Sequence, residues 1–206
     1  MKKYGIKPYK RKRAWKKRRD LKRCPAVFNN LIKAQSPLVP NYAWAADFTY
    51  IRHQQRYIYL ATFMDLFTRE IVGWNISNRH TKELVLKALF YGIKTNKFKL
   101  PKIIHSDQGS EYSCKDYIKT LNYLGIDISM SKKGSPWENG FQESFYNNFK
   151  TDLGLEFDRF NSLGELIEGI HQTINYYNYH RIHTALKMSP VKFKQTYYLN
   201  HLEKVV

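Results

Sequence analysis

The chain has 206 residues, of which 43% are hydrophobic and 16% aromatic, enough for one main folded domain with a small appendage. Its formal net charge is +18. The two cysteines are far apart and form no C-x-x-C pair, so neither a disulfide framework nor a zinc knuckle is indicated. No apolar run is long enough for a membrane span, and the N-terminus is too basic for a secretory signal. These features predict a soluble, cytoplasmic protein.

The positive charge is concentrated at the N-terminus. Residues 1–23 hold 13 of the 35 basic residues and one of the 17 acidic residues, so this arm carries +12 and the rest of the chain +6. Such a run repels itself in isolation and releases counterions when it lies along a phosphate backbone. A solvated tail without a partner is the alternative. We predict nucleic-acid contacts from two clusters: Lys10, Arg11, Lys12 and Arg13, and Lys16, Lys17, Arg18 and Arg19.

The predicted elements begin after a proline-containing linker over residues 24–43. Segments rich in aromatic and β-branched residues, separated by short polar breaks, predict three antiparallel strands at 44–52, 57–65 and 70–77. Alternating helices and strands then follow at 81–94 (helix, with Gly92 where it could stop), 100–106 (strand), 113–124 (helix, opened by a Ser113–Asp116 capping box), 126–130 (strand) and after Ser135 (helix).

The order βββαβαβα predicts an α/β fold with a mixed five-stranded sheet flanked by helices, because parallel strands need helical crossovers. This is the element order of the ribonuclease H-like fold. Two further helices are predicted at 162–179, opened by a Ser162–Glu165 capping box, and from Pro190 to Tyr197. The predicted division is a basic arm and linker over 1–40, a core over 41–155 and a helical extension of that core over 156–206.

Two aspartates occupy unusual positions. Asp47 lies inside an apolar strand, where an unpaired charge is costly to bury. Asp107 follows a predicted buried strand, at the end where ligands bind in open α/β sheets. Taken singly, each has an ordinary explanation: a salt bridge or a water-facing edge for Asp47, and a simple turn for Asp107.

A third carboxylate is sought among Glu111, Glu138 and Glu143. Ser135 and Glu138 have the spacing of a capping box with Pro136 at the first helical position, which gives Glu138 a structural role. Glu143 is left on the helix body. The polar stripe that it joins, which alone would indicate a solvent-exposed face, comprises Asn139, Glu143, Asn147 and Lys150, opposite Phe141, Phe145 and Phe149.

The three acids together suit a metal-dependent reaction. Carboxylate oxygens are favoured ligands of Mg²⁺ and Mn²⁺. Two such ions about 4 Å apart can activate water and stabilise the leaving oxygen in phosphodiester cleavage. We therefore predict Asp47, Asp107 and Glu143 as both catalytic residues and metal ligands.

The motifs around these acids resemble those of a known family. They are Trp44-x-x-Asp47-x-Thr49-Tyr50, His105-Ser106-Asp107-x-Gly109-x-Glu111-Tyr112, Ser131-x-x-Gly134-x-Pro136-x-x-Asn139-x-x-x-Glu143 and, near the C-terminus, Tyr177-Asn178-x-x-Arg181-x-His183-x-x-Leu186. They resemble the integrase-type (rve, DDE) core of OrfB-like insertion-sequence transposases, relatives of retroviral integrases. The 35 residues between Asp107 and Glu143 match the spacing of the family's acidic triad, and Lys150 stands where the family usually has Lys or Arg.

The resemblance implies two Mg²⁺ or Mn²⁺ ions on the triad, driving cleavage at transposon ends and strand transfer into target DNA. It implies that Lys150 holds phosphate, and that His105 and Asn139 shape the site or contact DNA. As partners it implies a homo-oligomer on DNA and a helix-turn-helix protein from an upstream reading frame, in a bacterial cytoplasm and at the nucleoid when bound.

Two alternatives are retained. A ribonuclease H-type nuclease would share the fold and carboxylates, although the spacing of the triad and the C-terminal motif argue against it. An inactive DNA-binding remnant is the other, because the family's usual helical DNA-binding region before the core is absent or cut short. Trp44 and Trp137 are predicted to pack rather than to act in catalysis.

Overall fold

The computed structural model describes residues 27–32, 37–154 and 157–202. Five strands form one mixed sheet in the order β3-β2-β1-β4-β5. The strands are β1 (Ala43–His53), β2 (Arg56–Asp65), β3 (Ile71–Ser77), β4 (Ile103–Ser106) and β5 (Asp127–Met130). The helices are α1 (Lys82–Thr95), α2 (Lys115–Tyr123), α3 (Gly140–Leu153), α4 (Leu163–Tyr179) and α5 (Pro190–Leu202). The predicted element order and the mixed sheet flanked by helices are confirmed.

The sheet splits along β1. On one side β1 pairs with β2 from Trp44 to His53, through a hairpin whose turn residues Gln54 and Gln55 both have positive φ, 43° and 63°, as a tight two-residue hairpin turn requires. On the other side β1 pairs in parallel with β4 only from Ala43 to Ala45. The second half of β1 therefore has an open edge, and Asp47 lies just past the split.

Each face of the sheet is covered by its own pair of helices, because successive residues of a strand point to opposite faces. One core joins Trp44 and Phe63 to residues of α1 and α2, and a second joins Ile51 and Leu60 to residues of α3 and α4. Helix α3 is thereby packed on the face to which Asp47 belongs.

Gly92, where the helix was predicted to stop, lies within α1, which continues to Thr95. A Cβ on Gly73 of β3 would lie 2.4 Å from Ala88 O and 2.7 Å from Gly92 Cα. The two glycines therefore allow α1 to approach the sheet closely, which is a use of glycine that depends on space rather than on turn conformation.

The C-terminal motif fastens α4 to the sheet and to α3. The Asn178 side chain accepts a hydrogen bond from Ile71 N and donates one to Ile71 O, both at 2.9 Å, and so satisfies part of the edge strand β3. The Tyr177 hydroxyl donates to Arg69 O at 3.0 Å, and Arg181 forms an ion pair with Asp152 of α3.

The division of the chain into three regions stays a prediction.

Of the predictions about hydrogen bonds at the starts of α2 and α4, two are corrected and one is confirmed. Ser113 does not cap α2: its hydroxyl donates to Gly109 O, and the N-cap residue, Cys114, makes no side-chain capping bond. Ser162 does cap α4, accepting from Glu165 N at 3.1 Å. The Glu165 carboxylate accepts a hydrogen bond from Asn161 N at 2.8 Å, and not from Ser162 N as a capping box requires.

Part of the predicted linker packs against the core. Leu31 N donates to Ser129 Oγ at 2.9 Å, and Phe28 packs against the core on the α1 side. Residues 27–32 are therefore structural rather than a simple spacer. The basic clusters at 10–13 and 16–19 lie outside the described residues. Within the described ranges, no helix has both the length and the apolarity that crossing a membrane requires.

Candidate active site

Asp47 is a carboxylate with little compensation from the protein. Its Oδ1 accepts one hydrogen bond, from Phe48 N at 2.8 Å. Burial first, and then the charges of Asp107 and Glu143, raise the pKa of Asp47 to about 7, although the bond from Phe48 lowers it. No cationic side chain is among these influences within the described residues. A partly buried acid under this electrostatic stress is typical of a functional site.

Asp65, a fully buried aspartate of the same sheet, shows the contrast. Asp65, 1% exposed, accepts hydrogen bonds from three backbone N–H groups, those of Asn41, Phe67 and Thr68. These bonds organise the turn after β2. Asp65 therefore has a structural role that Asp47 lacks.

Asp107 follows β4 immediately, as predicted. Its Oδ1 accepts from Gly109 N at 2.9 Å, and burial raises the pKa of its carboxyl. A Cβ at Gly109 would lie 2.9 Å from the same oxygen. The loop therefore needs glycine because the carboxylate folds back over it.

Glu111, one of the three candidates for the third carboxylate, is 8% exposed and already partnered. Its Oε1 accepts from Ser110 Oγ at 2.7 Å, and its Oε2 lies 3.4 Å from His80 Nε2. The His80 contact, which joins the Asp107 loop to the segment before α1, carried no recognisable sequence signal.

Glu138 is structural, but not through the predicted capping box. Its carboxylate accepts from Lys132 N at 2.7 Å and from Asn30 Nδ2 at 3.0 Å. Ser135 makes no capping bond, because a 3₁₀ turn precedes α3, which begins only at Gly140. Glu143 is exposed in the first turn of α3. It lies close enough to Asp47 for its charge to raise the pKa of the Asp47 carboxyl.

The residue before Glu143 fixes α3 to the sheet. Gln142 is fully buried; its Nε2 donates to Ala45 O at 2.6 Å and its Oε1 accepts from Thr62 Oγ1 at 3.1 Å. One turn later, the Tyr146 hydroxyl donates to Asp47 O at 2.8 Å and lies 2.8 Å from Thr62 Oγ1. This Gln142–Tyr146 clamp holds the Glu143 backbone beside Asp47.

The clamp was missed because the helix pattern assigned the buried face of α3 to phenylalanines alone. Phe145 and Phe149 are buried as predicted, but Phe141 is 40% exposed beneath the Arg69 guanidinium, 3.7 Å from its ring centroid. The available signal was the i, i+4 spacing of Gln142 and Tyr146 around Phe145.

Replacing Gln142 by Leu is expected to lower the free energy of unfolding by about 1–3 kcal/mol, the cost of leaving buried polar groups unsatisfied. Ala45 O would lose the donor that Gln142 provides, and the Thr62 hydroxyl would lose the oxygen that accepts its hydrogen bond. Urea unfolding followed by circular dichroism measures the change. The control is Gln172→Leu on exposed α4 surface, expected within about 0.5 kcal/mol of the wild type. Equal stability of the two variants would show that the clamp contributes nothing.

The remaining predicted site residues differ in accessibility. His105 is 2% exposed, with Nδ1 2.9 Å from Ser129 Oγ, and Asn139 is 8% exposed. Burial argues against direct DNA contact by either and leaves the other predicted role, shaping the site. Lys150 is half-buried, which lowers its pKa, and its Nζ lies 5.3 Å from the Tyr50 ring centroid. Trp44 is buried as predicted, whereas Trp137 is 73% exposed, so its packing prediction is wrong.

The donors fit a divalent cation in chemistry. All three predicted ligands are carboxylates, which supply the hard oxygens that Mg²⁺ and Mn²⁺ prefer. A cation would offset the repulsion of the Asp47 carboxylate by the charges of Asp107 and Glu143, which raises the pKa of Asp47. The side chains do not form a ready-made cage: across the described ranges, no three His, Cys, Asp or Glu side chains are grouped so that they could hold a metal ion.

Comparison with known proteins identifies the family. Residues 37–136 and 124–190 match two models of the integrase core domain. The chain is 38% identical over 176 residues to the 31 kDa protein of insertion element IS600 from Shigella sonnei, covering 84% of this chain and 64% of that protein. It is 36% identical over 194 residues to the transposase of IS904 from Lactococcus lactis, covering 93% of this chain and 73% of that protein.

Solved structures with the same fold include retroviral ones. A chain of the simian T-cell lymphotropic virus intasome aligns with a TM-score of 0.68 at 17% identity, over 82% of this chain and 57% of that one. The HTLV-2 integrase catalytic core, solved with magnesium, aligns with a TM-score of 0.64 at 16% identity, over 76% of this chain and 98% of that one. The predicted ribonuclease H-like fold is confirmed. The chain belongs to the insertion-sequence transposases with an integrase core domain, which are polynucleotidyl transferases.

Proposed function

We propose that this chain cleaves DNA at transposon ends and joins the released ends to target DNA, with Asp47, Asp107 and Glu143 as metal ligands. The observation that carries the proposal is the state of Asp47. It lies past the split of the sheet with one hydrogen bond from the protein, and two further acids raise its pKa. A site that is unfavourable when empty of cations is suited to bind them.

The reaction is two successive displacements at phosphorus. In the first, water attacks, the bond to the 3′ oxygen breaks and a 3′-hydroxyl is released; in the second, that hydroxyl attacks a target phosphate and displaces its 3′ oxygen. Bound Mg²⁺ or Mn²⁺, in our proposal two ions, would supply activation of the attacking oxygen and stabilisation of the leaving one.

The chain's own residues position the participants. Tyr146 holds the Asp47 backbone and Gln142 holds the Ala45 backbone, so that the acids of β1 and α3 keep a fixed spacing. Lys150 lies two turns after Glu143 on α3 and would neutralise a phosphate of the reacting strand. His105 and Asn139 support this arrangement from the interior.

We further propose that this chemistry takes place in an assembly on DNA. The HTLV-2 integrase core was solved in dimeric and trimeric forms, and its simian relative in an intasome. The arm clusters, Lys10–Arg13 and Lys16–Arg19, would bind phosphate without sequence preference. A helix-turn-helix partner protein would then add recognition of the element ends.

The test is a cleavage and joining assay with the full chain. The substrates are a labelled duplex carrying the terminal sequence of the element that encodes the chain, a target plasmid, and an RNA–DNA hybrid of matched length. With Mg²⁺ or Mn²⁺ we expect nicking at the element end and labelled plasmid, and with EDTA neither. Cutting of the RNA strand of the hybrid without cleavage of DNA would establish the ribonuclease H alternative instead. DNA binding without cleavage in any metal, with the helix-turn-helix partner also present, would establish the inactive remnant.

A further inference from the structure

Two large aromatic side chains lie exposed side by side on the β1–β2 hairpin. Tyr50 is 56% exposed and Tyr57 is 50% exposed, and their rings meet edge to face with centroids 5.4 Å apart. In the register Tyr50 faces Tyr59 and Tyr57 faces Arg52, so all four belong to one face of the sheet. We call Tyr50 and Tyr57 the tyrosine pair.

Positive charge borders the tyrosine pair. Lys150 Nζ lies 5.3 Å from the Tyr50 ring centroid, reaching it from α3. Arg52 is exposed directly opposite Tyr57, and Arg56 is exposed at the start of β2. Flat rings flanked by cations are the composition of a surface for single-stranded nucleic acid, where bases stack and phosphates are neutralised.

The aromatic surface continues from the pair towards the acids. His80 stacks on Tyr59, with centroids 5.2 Å apart, and its ring lies 4.0 Å from that of Phe48. His80 in turn contacts Glu111 beside the Asp107 loop. On β1 itself, Tyr50 is three residues from Asp47, about 10 Å along the strand and on the opposite face of the sheet. The two faces meet at the open edge of β1, where Lys150 of α3, the helix on the Asp47 face, comes within 5.3 Å of the Tyr50 ring centroid. A strand of DNA that passes over the pair and around this edge would therefore have its neighbouring phosphates near the acidic residues.

We propose that the tyrosine pair, with Lys150 and Arg52, binds unpaired bases of single-stranded DNA next to the reacting phosphate. This inference rests on the proposed function and names the form of DNA that the same site holds. Bases within a duplex are stacked on one another and do not offer a free face to a tyrosine ring, so the surface discriminates in favour of frayed or single-stranded ends. Binding of single-stranded DNA to this surface can be measured without catalysis.

The experiment measures binding by the full chain in EDTA, using fluorescence anisotropy of a labelled oligothymidine strand and of a duplex of the same length. The double variant Tyr50→Ala/Tyr57→Ala is expected to bind the single strand about tenfold or more weakly, the range of losing base–aromatic stacking. Its duplex affinity should match the wild type. The double phenylalanine variant keeps the rings and should retain single-strand affinity. Tyr123→Ala, which removes a tyrosine that is 91% exposed at the end of α2, is the matched control and should change nothing.

Photo-crosslinking of the wild-type chain to a strand containing 5-iododeoxyuridine provides a second measurement that needs no variant to fold. We expect crosslinked peptides to contain Tyr50 or Tyr57. Crosslinks confined to other segments, unchanged single-strand binding by the double alanine variant, or an equal loss for duplex would each overturn the proposal. Because no metal is present, loss of the stacking surface and loss of cleavage are separate outcomes: the pair can fail while cleavage persists, and the reverse.

Discussion

Replacing Asp47 by Asn is expected to abolish DNA cleavage and, in EDTA at pH 7.5, to raise the melting temperature above that of the wild type. Asn is close to isosteric and keeps an oxygen for the Phe48 N–H, but it carries no charge into a site where burial and two neighbouring acids oppose one. A gain of about 1 kcal/mol corresponds to roughly 2–4 °C for a chain of this size.

The pH dependence of this difference follows from the direction of the pKa shift. The pKa of Asp47 is raised in the folded state, from 3.8 to about 7. The stability of the wild type that comes from the protonated carboxyl is therefore complete below the unfolded value and is lost as pH rises towards 7. Thermal melts in EDTA from pH 5 to pH 8 should show the advantage of the Asn variant growing with pH.

A matched control exists in the same sheet. In Asp65→Asn the amide nitrogen would take the place of an oxygen that accepts from a backbone N–H, so this variant should be less stable than the wild type at every pH tested.

Mg²⁺ should stabilise the wild type, since it binds the folded state, and should not stabilise Asp47→Asn. If Asp47→Asn melts no higher than the wild type in EDTA at pH 7.5, the carboxylate is not under electrostatic stress. If it cleaves DNA normally, Asp47 is not catalytic.

Glu143→Gln is expected to lower the cleavage rate about a hundred- to a thousandfold, the range for loss of one principal electrostatic contact with a transition state. The side chain is exposed on α3, so the melting temperature in EDTA should not fall, and removal of its repulsion of Asp47 should raise it by less than Asp47→Asn does. Single-turnover cleavage of the labelled element end measures the rate, and titration of Mn²⁺ should show a higher concentration at half-maximal activity.

Two further variants make this result specific. Glu168→Gln makes the same exchange on the exposed surface of α4 and should cleave as the wild type does. Glu111→Gln tests the competing third ligand; because Glu111 pairs with His80 and Ser110, we expect it to lower stability more than activity. Loss of activity in Glu111→Gln with a normal rate in Glu143→Gln would transfer the role of third ligand to Glu111.

Much of the fold follows from local patterns in the sequence. Alternation of side chains and the polar break at Gln54–Gln55 predicted the meander, and 3.6-residue periodicity predicted the helices, because these periodicities are set by backbone geometry within a few residues. Asp47 and Asp107 were predicted from their strand positions and Glu143 from its place on the helix body, and the 35 residues between Asp107 and Glu143 matched the acidic triad of the family that the motifs resemble. Their common metal site stays a prediction.

Tertiary structure alone decided how those acids are held. Gln142 reaches a carbonyl 97 positions away and Tyr146 one 99 positions away, while Glu138 pairs with Asn30 across 108 positions. A capping-box pattern specifies a local bond, but a side chain takes whichever donor the packed elements bring nearest, as Glu138 and Ser113 did. The sequence by itself determined the elements and the acids; the packing of α3 on the split edge of β1 decided their partners, because hydrogen bonds between distant segments leave no periodic trace in the chain.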